Sequence, residues 1–273
     1  FEGQRYAVSG VQLEGYYLGR EEEFKSLIRI EVGKPYNIAQ VTETTKAFTD
    51  YFGNFGYAFA RVEPTPEIDR ATNRVKLVLK ADPARRAYVR RVNITGNIRT
   101  RDEIIRREIR QFESSWYDGD KIRLSKDRIE RLGYLKEVNV ETIEVPGAPD
   151  QVDLQVNVVE KPTGSIQLGA GFSSAEKVSL SFGIKQENVF GSGNYLGLDI
   201  NTSKYNRTMV LSTTNPYFTD TGISRTYDLY YRTMRPYYDD GAYKIVTKGA
   251  TVRFGIPFSE VDTVYFGGGV EGN

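Results

Sequence analysis

Hydrophobic and polar residues alternate one by one between residues 178 and 201. A period of two is typical of a β-strand whose two faces meet different surroundings. The turn-like sequence "GSGN" interrupts the alternation once, and the pattern then resumes. The apolar positions are Val178, Leu180, Phe182, Ile184, Leu196, Leu198 and Ile200. Two antiparallel strands are therefore predicted, with an apolar face that contacts either a protein core or lipid.

The same alternation predicts seven strands, near residues 165–174, 177–190, 194–205, 207–218, 223–235, 243–257 and 261–273. Strands of this length suit a tilted crossing of a membrane better than a soluble sandwich, which is the alternative. An aromatic residue precedes three short turns, at Phe190, Phe218 and Phe258. We expect these three to form a girdle at one membrane surface. Tyrosines are expected to form the opposite girdle, namely Tyr205, Tyr237, Tyr238 and Tyr243.

An internal repeat occupies the first half of the chain. Each copy starts with a short strand that ends in glycine, "VSGVQLEG" and "VRRVNITG". Two charged helical segments and two strands follow in each copy, and Gly-Tyr ends the second helical segment both times. Glycine there suits the left-handed conformation that terminates helices. The order β-α-α-β-β, repeated after about 80 residues, predicts two related α+β domains.

These patterns divide the chain into four segments. We expect residues 1–5 to be the end of a preceding domain or linker, 6–83 and 84–163 to be the two repeats, and 164–273 to begin a barrel. Seven strands do not close a membrane sheet, so further strands are expected beyond Asn273. The predicted fold class is a tandem of α+β domains followed by an all-β, antiparallel, partial transmembrane barrel.

Composition narrows the possible functions. The 273 residues include no histidine and no cysteine, which removes thiol nucleophiles, histidine bases and the usual zinc ligands. We therefore predict a protein that is not an enzyme and needs no metal or cofactor. The net charge is +1 and acidic residues interleave the arginine-rich runs, which argues against nucleic acid.

Several stretches are similar to the POTRA-plus-barrel outer-membrane insertase family. They span most of the chain: "YVRRVNITGN", "IIRREIRQFESSW", "RLGY", "VPGAPDQVDLQV", "GSIQLGAGF", "NVFGSGNYLG" and "TNPYFTDTG". The resemblance implies the last two POTRA domains, in the periplasm, and the first seven of sixteen strands in a Gram-negative outer membrane. Related alternatives are a two-partner-secretion pore and the translocation and assembly protein TamA, which export a dedicated substrate.

The resemblance also implies partners and sites. Unfolded outer-membrane proteins are expected to add a strand to POTRA sheet edges, a main-chain recognition that tolerates many sequences. The first barrel strand would be one side of a lateral gate, formed by Ile166, Gln167, Leu168, Gly169, Ala170, Gly171 and Phe172. Accessory lipoproteins include a tetratricopeptide-repeat protein of the BamD type, which Arg106 and Glu113 would dock. An ordinary solvated helix face is the alternative for these two residues.

Overall fold

The computed structural model describes residues 5–174, 177–235 and 244–272, so Tyr237, Tyr238 and Tyr243 lie outside the described residues. The chain divides into two compact units. One contains residues 1–95, 108–131 and 138–158, and the other contains 96–107, 132–137 and 159–273. Within the described ranges, no helix has the length and apolarity needed to cross a membrane.

The first repeat folds in the predicted order. Its elements are β1 (Ala7–Gly15), α1 (Glu21–Lys25), α2 (Ile38–Gly53), β2 (Arg61–Asp69) and β3 (Arg74–Asp82). The central strand is β3, which pairs in parallel with β1 and antiparallel with β2. The Asn37 side chain accepts the Ala39 N–H at 2.9 Å and so caps α2.

The second repeat has the same order of elements. They are β4 (Tyr88–Thr95), α3 (Asp102–Arg106), α4 (Gly119–Glu130), β5 (Leu135–Val145) and β6 (Ala148–Glu160). The sheet order is β4-β6-β5, which corresponds to β1-β3-β2 in the first repeat. Asp118 caps α4 by accepting the N–H groups of Asp120 and Lys121.

The first charged segment of each repeat forms a much shorter helix than the predicted amphipathic pattern suggests. Helix α1 ends at Lys25 because the chain then turns back towards β1. There Val8 donates to the Lys34 carbonyl at 2.9 Å, and Gly33 donates to Val8 at 2.8 Å. These bonds hold the segment in a turn beside β1 and override its helical periodicity.

An aromatic cluster fills the first repeat. Tyr17, Phe24, Phe48 and Phe52 are all fully buried, and the Phe24 ring lies 4.9, 5.2 and 4.6 Å from the other three ring centroids. The Tyr17 hydroxyl donates to the Leu79 carbonyl at 2.6 Å, and burial raises the pKa of Tyr17. The core therefore joins both helices to the central strand β3.

Seven antiparallel strands follow, each pairing with its neighbours in the sequence. They are β7 (Gly164–Ser173), β8 (Lys177–Gln186), β9 (Tyr195–Thr202), β10 (Asn206–Asn215), β11 (Ser224–Met234), β12 (Ile245–Pro257) and β13 (Thr263–Gly272). The prediction of seven antiparallel strands is confirmed. The sheet formed by the described residues is open, as expected for part of a barrel.

The register gives this sheet one apolar and one polar face. A row of directly opposed residues crosses the apolar face: Phe182, Ile200, Met209 and Tyr231. A row on the other face contains Lys185, Gly197, Ser212, Asp228 and Thr251. Asp228 accepts hydrogen bonds from Ser212 and Thr251 at 2.5 and 3.1 Å. This division is typical of a membrane barrel, whose outer face meets lipid while its inner face is wet.

Candidate functional site

The predicted gate strand is β7, and its seven residues divide between the two faces. Ile166 opposes Ile184 and Leu168 opposes Phe182 on the apolar face. Gly169 opposes Ser181 on the polar face. The remaining predicted residues follow the same alternation: Ala170 and Phe172 on the apolar face, and Gln167 and Gly171 on the polar face.

Gly169 and Gly171 leave little room for a larger side chain. A methyl group on Gly169 would overlap the Ser181 hydroxyl, and one on Gly171 would lie 2.9 Å from Ser179 Oγ. Both serine hydroxyls are the ends of rotatable side chains, so a substitution there is tolerable. The two Gly–Ser pairs also lack the side-chain packing that stabilises neighbouring strands. At both glycines, the space for a side chain is therefore small and the side-chain packing between β7 and β8 is weak.

The outer edges of β1 and β4 are partly occupied. In the first repeat, Val8 exchanges bonds with Gly33 and Lys34, as described above. In the second, Val89 donates to Ser115 at 2.9 Å and accepts from Ser114 at 2.7 Å. Strands β2 and β5 are the opposite edges of the two sheets. An incoming extended peptide therefore has β2 and β5 as its candidate pairing sites.

Two prolines close the β2 edge. Pro64 opposes Leu79 and Pro66 opposes Leu77 in an unbroken antiparallel register. Proline has no N–H, so neither residue belongs to a hydrogen-bonded pair with β3, and both backbone nitrogens face the free edge. A strand pairing there would meet two missing donors in a row. Edge prolines of this kind prevent strand addition.

The β5 edge has no such block. Leu135–Val145 contains no proline. Outside the sheet ladder, no backbone hydrogen bond to these residues occurs among the described residues. The Asn139, Glu141 and Thr142 side chains are exposed. The resemblance predicts clients at POTRA sheet edges without distinguishing the two repeats, and the "PTP" sequence at residues 64–66 is the signal that separates them.

Arg106 and Glu113, the predicted docking residues, both have intramolecular partners. Arg106 Nε lies 2.7 Å from Asp102 Oδ2, one helical turn away. Glu113 Oε1 accepts the Val92 N–H at 3.0 Å, beside a bulge in β4 between Val89 and Arg91. Glu113 is exposed, yet it also holds backbone structure. Any docking role must accommodate this bond.

The three predicted girdle residues lie in the turns that follow β8, β10 and β12, which share one end of the antiparallel sheet. Phe218 packs 5.9 Å from Phe254 between ring centroids, and Phe254 belongs to the apolar face. The Arg225 guanidinium lies 4.1 Å above the Phe218 ring. Phe190 and Phe258 are exposed.

The turn after β8 contacts a loop of the second repeat that the sequence did not single out. Arg101 donates its N–H to Gly191 at 3.1 Å, and Asn188 Nδ2 donates to Thr100 Oγ1 at 2.8 Å. Gly191 has φ of +73°, and a side chain there would overlap the Arg99 carbonyl oxygen. Gly191, the first glycine in "NVFGSGN", is therefore required both by its conformation and by this contact.

Glu160 fixes the same loop. Its carboxylate accepts the Thr100 N–H at 2.7 Å and the Arg99 N–H at 3.0 and 3.1 Å. Burial opposes ionisation of Glu160, but these bonds outweigh it, and the pKa of the carboxyl lies below its usual range. The loop is thus held by a carboxylate that is charged at neutral pH.

Two small α+β repeats joined to a sheet with a lipid-type face define an outer-membrane barrel protein with periplasmic repeats. The POTRA family, described as a surface antigen variable number repeat, matches residues 6–84 and 87–161. The Omp85 superfamily domain matches residues 188–273. The chain belongs to the Omp85 superfamily of POTRA-containing outer-membrane proteins.

Named relatives agree with this assignment. The chain is 37% identical to the outer membrane protein assembly factor BamA of Neisseria meningitidis, over 97% of this chain and 34% of that protein. It is 30% identical to BamA of Nitratidesulfovibrio vulgaris, with the same two coverages of 97% and 34%. The chain thus spans about a third of the length of these curated relatives.

A solved structure shows the same fold. BamA of Haemophilus ducreyi, lacking POTRA domains 1–3, matches with a TM-score of 0.83 at 30% identity. The match covers 97% of this chain and 51% of that chain.

Proposed function

We propose that the intact protein folds and inserts other β-barrel proteins into the outer membrane, as a BamA-type assembly factor. The chain contributes two periplasmic repeats that receive unfolded clients and the first strands of the inserting barrel. The relatives that match almost all of the chain bear the name of an assembly factor. That likeness favours this function over a two-partner-secretion pore or a TamA-type translocator.

The first hairpin carries the insertion step in this proposal. Two successive polar-face pairs of β7 and β8 are Gly169–Ser181 and Gly171–Ser179, which supply little cross-strand packing. Gly169 and Gly171 also offer no side chain to a strand on the other side of β7, so β7 can exchange the last barrel strand for a client strand. Its main-chain groups then template the client, whose own folding into lipid provides the free energy. No nucleotide, metal or other cofactor takes part.

Clients reach the barrel through β5 of the second repeat. An unblocked strand offers alternating N–H and C=O groups to any extended segment, because main-chain bonds do not read side chains. The prolines of β2 make the first repeat a poor partner for the same segment. The two repeats therefore divide the work, with the second repeat pairing with clients and the first serving as a spacer.

Accessory lipoproteins bind the second repeat in this proposal, with Arg106 and Glu113 as part of the docking surface. Glu113→Gln keeps an acceptor for the Val92 N–H but removes the charge, whereas Glu113→Ala removes both. Docking through charge predicts that both variants lose co-purification of a tetratricopeptide-repeat lipoprotein. Loss with Glu113→Ala alone would assign Glu113 a structural role and would count against direct docking.

The aromatic side chains Phe190, Phe218 and Phe258 form the periplasmic girdle in this proposal. They occupy turns at one end of the sheet, beside its apolar face, where aromatic rings suit the water–lipid boundary. Tyr205, before β10, belongs to the opposite end.

Depletion of the intact protein in its host tests the function. We expect a fall across many unrelated outer-membrane barrel proteins, measured by quantitative proteomics, with their precursors accumulating in the periplasm. A matched strain that expresses a variant with β7 locked to the last strand by an engineered disulfide should show the same loss until the bond is reduced. Loss of one secreted protein alone, with other barrels unchanged, would instead identify a dedicated secretion pore.

A further inference from the structure

Two large apolar side chains stand almost fully in the open where the second repeat meets the sheet. Ile98, in the loop before α3, is 93% exposed, and Phe190, in the turn after β8, is 94% exposed. Both residues belong to the same compact unit. With Arg99 and Lys161 they form what we call the rim patch. Exposed apolar groups beside cations are typical of surfaces that bind an amphipathic partner.

The rim patch is held in place by the bonds described above. Arg101 and Thr100 are bonded to the turn after β8, and Glu160 ties the backbone of Arg99 and Thr100. Thr100 is only 2% exposed, so the loop is anchored directly beside its most exposed residue. Ile98 is therefore displayed by a fixed loop, without covering any part of the protein.

The backbone conformation at Phe190 also indicates that this side chain is displayed to solvent by a fixed part of the chain. Its φ is +52°, a left-handed conformation that aromatic residues rarely adopt. The conformation directs a large ring away from the protein. Strained backbone conformations of this kind cluster at functional sites.

The rim patch continues the apolar face of the sheet. An open cavity of about 860 Å³ is lined by Arg99, Lys161, Phe190 and also Leu196. Leu196 begins the apolar row of β9 that includes Leu198 and Ile200. The cavity therefore opens on the side of the sheet that meets lipid, at the end where the girdle turns lie.

Charge complementarity identifies the occupant. Arg99 and Lys161 are exposed cations at this opening. Glu160 is the carboxylate in the described cavity wall, and its oxygens are directed to the backbone N–H groups of the loop. A surface with apolar side chains and outward cations fits anionic lipid headgroups above acyl chains.

We propose that the rim patch is a membrane-contact site, which seats the second repeat on the phospholipid headgroups of the periplasmic leaflet. Ile98 and Phe190 enter the interfacial layer, and Arg99 and Lys161 pair with lipid phosphates. The contact gives a periplasmic repeat its own hold on the bilayer, beside the start of β7. It requires only that the barrel lies in a membrane, and it does not depend on the proposed function.

Depth-dependent quenching tests the contact in the full-length protein. This chain has no cysteine, so single cysteines at Ile98, Phe190 or Ile68 can carry a fluorescent label once any others in the full-length protein are replaced. Ile68 is 54% exposed on β2 and is the matched control, while Phe190 is the positive reference. The protein is placed in vesicles of phosphatidylethanolamine and phosphatidylglycerol, with or without bromine near the headgroups.

Brominated lipid should reduce the fluorescence of the Ile98 label roughly two-fold, as for side chains buried about 5–10 Å in the interface, and should leave the Ile68 label unchanged. Arg99→Glu combined with Lys161→Glu should reverse most of the quenching at Ile98. An Ile98 label that is unquenched while the Phe190 label is quenched would overturn the proposal. Shielding of Ile98 by an added lipoprotein, but not by lipid, would likewise overturn it and assign the patch to a protein.

Discussion

The two repeats share a backbone plan and differ at their edges. Both have a register shift in the first strand, between Val8 and Gly10 and between Val89 and Arg91. Yet β2 carries two prolines and β5 carries none. The register shift in the first strand is thus present in both repeats. The free edge strand, which is exposed to partners, differs between them. This comparison suggests that the repeats have different tasks on the same scaffold.

The cores differ as well. The first repeat buries the aromatic cluster of Tyr17, Phe24, Phe48 and Phe52. The second buries mainly aliphatic side chains, among them Val89, Ile129, Leu154 and Val156. Aromatic rings bury more area per residue and meet edge to face, as Tyr17 and Phe24 do. A substitution in one of these cores can therefore lower the stability of one repeat without changing the core of the other.

The largest expected effect follows removal of a core ring. Phe48→Ala should destabilise the first repeat by about 3–5 kcal/mol, because a fully buried ring leaves a cavity. Hydrogen–deuterium exchange in the intact protein should rise in peptides of residues 6–83. Peptides of residues 108–131 should stay protected. An equal rise in both would mean that the repeats unfold together.

A smaller effect should be shared by the two repeats. Thr44 Oγ1 accepts the Arg29 N–H at 3.0 Å, and Ser125 Oγ accepts the Arg110 N–H at 2.7 Å. Thr44→Val and Ser125→Ala each leave that N–H without its acceptor, at a cost of about 1–3 kcal/mol. Exchange protection should fall by similar factors in the two repeats. A loss confined to one repeat would contradict the common plan.

The smallest expected effect is a pH dependence of stability at the bulge in β4, which the bulge in β1 should lack. Arg90 and Asp153 form a bidentate pair in the second repeat, with bonds of 3.0 and 2.6 Å. The hydrogen bond from Arg90 holds the pKa of Asp153 below its usual range. The pair therefore stabilises at pH values above the pKa of the unfolded carboxyl, and this contribution is lost as the pH falls through the lower folded-state pKa.

The contribution of this pair to stability is small, because Arg90 is exposed to solvent. Exchange in peptides of residues 138–158 should rise slightly more on acidification in the native protein than in Asp153→Asn. The first repeat has Ser9 at its bulge, where Ser9 Oγ bonds to the Val75 carbonyl, and serves as the pH-independent reference. Identical acid responses of the native protein and the variant would mean that the Arg90–Asp153 pair does not contribute to stability.

The sequence allowed the repeats, the seven strands and their two faces to be predicted, because each depends on local periodicity. The short α1 helix was not predictable in this way, since Val8 and Lys34 bond across distant parts of the chain. The bond from Val92 to Glu113 is likewise tertiary. The closed β2 edge was visible in "PTP", but its meaning required the register with β3.

Photo-crosslinking at the two edges shows directly whether clients pair with β5 and not with β2. A photoreactive residue replaces Thr65 on β2 or Thr142 on β5 in the full-length protein, with an unfolded barrel protein as the client. We predict crosslinks from β5 and few from β2. Pro64→Thr combined with Pro66→Thr should open β2 and raise its yield. Equal crosslinking from both native edges, or no gain after the prolines are replaced, would contradict the account.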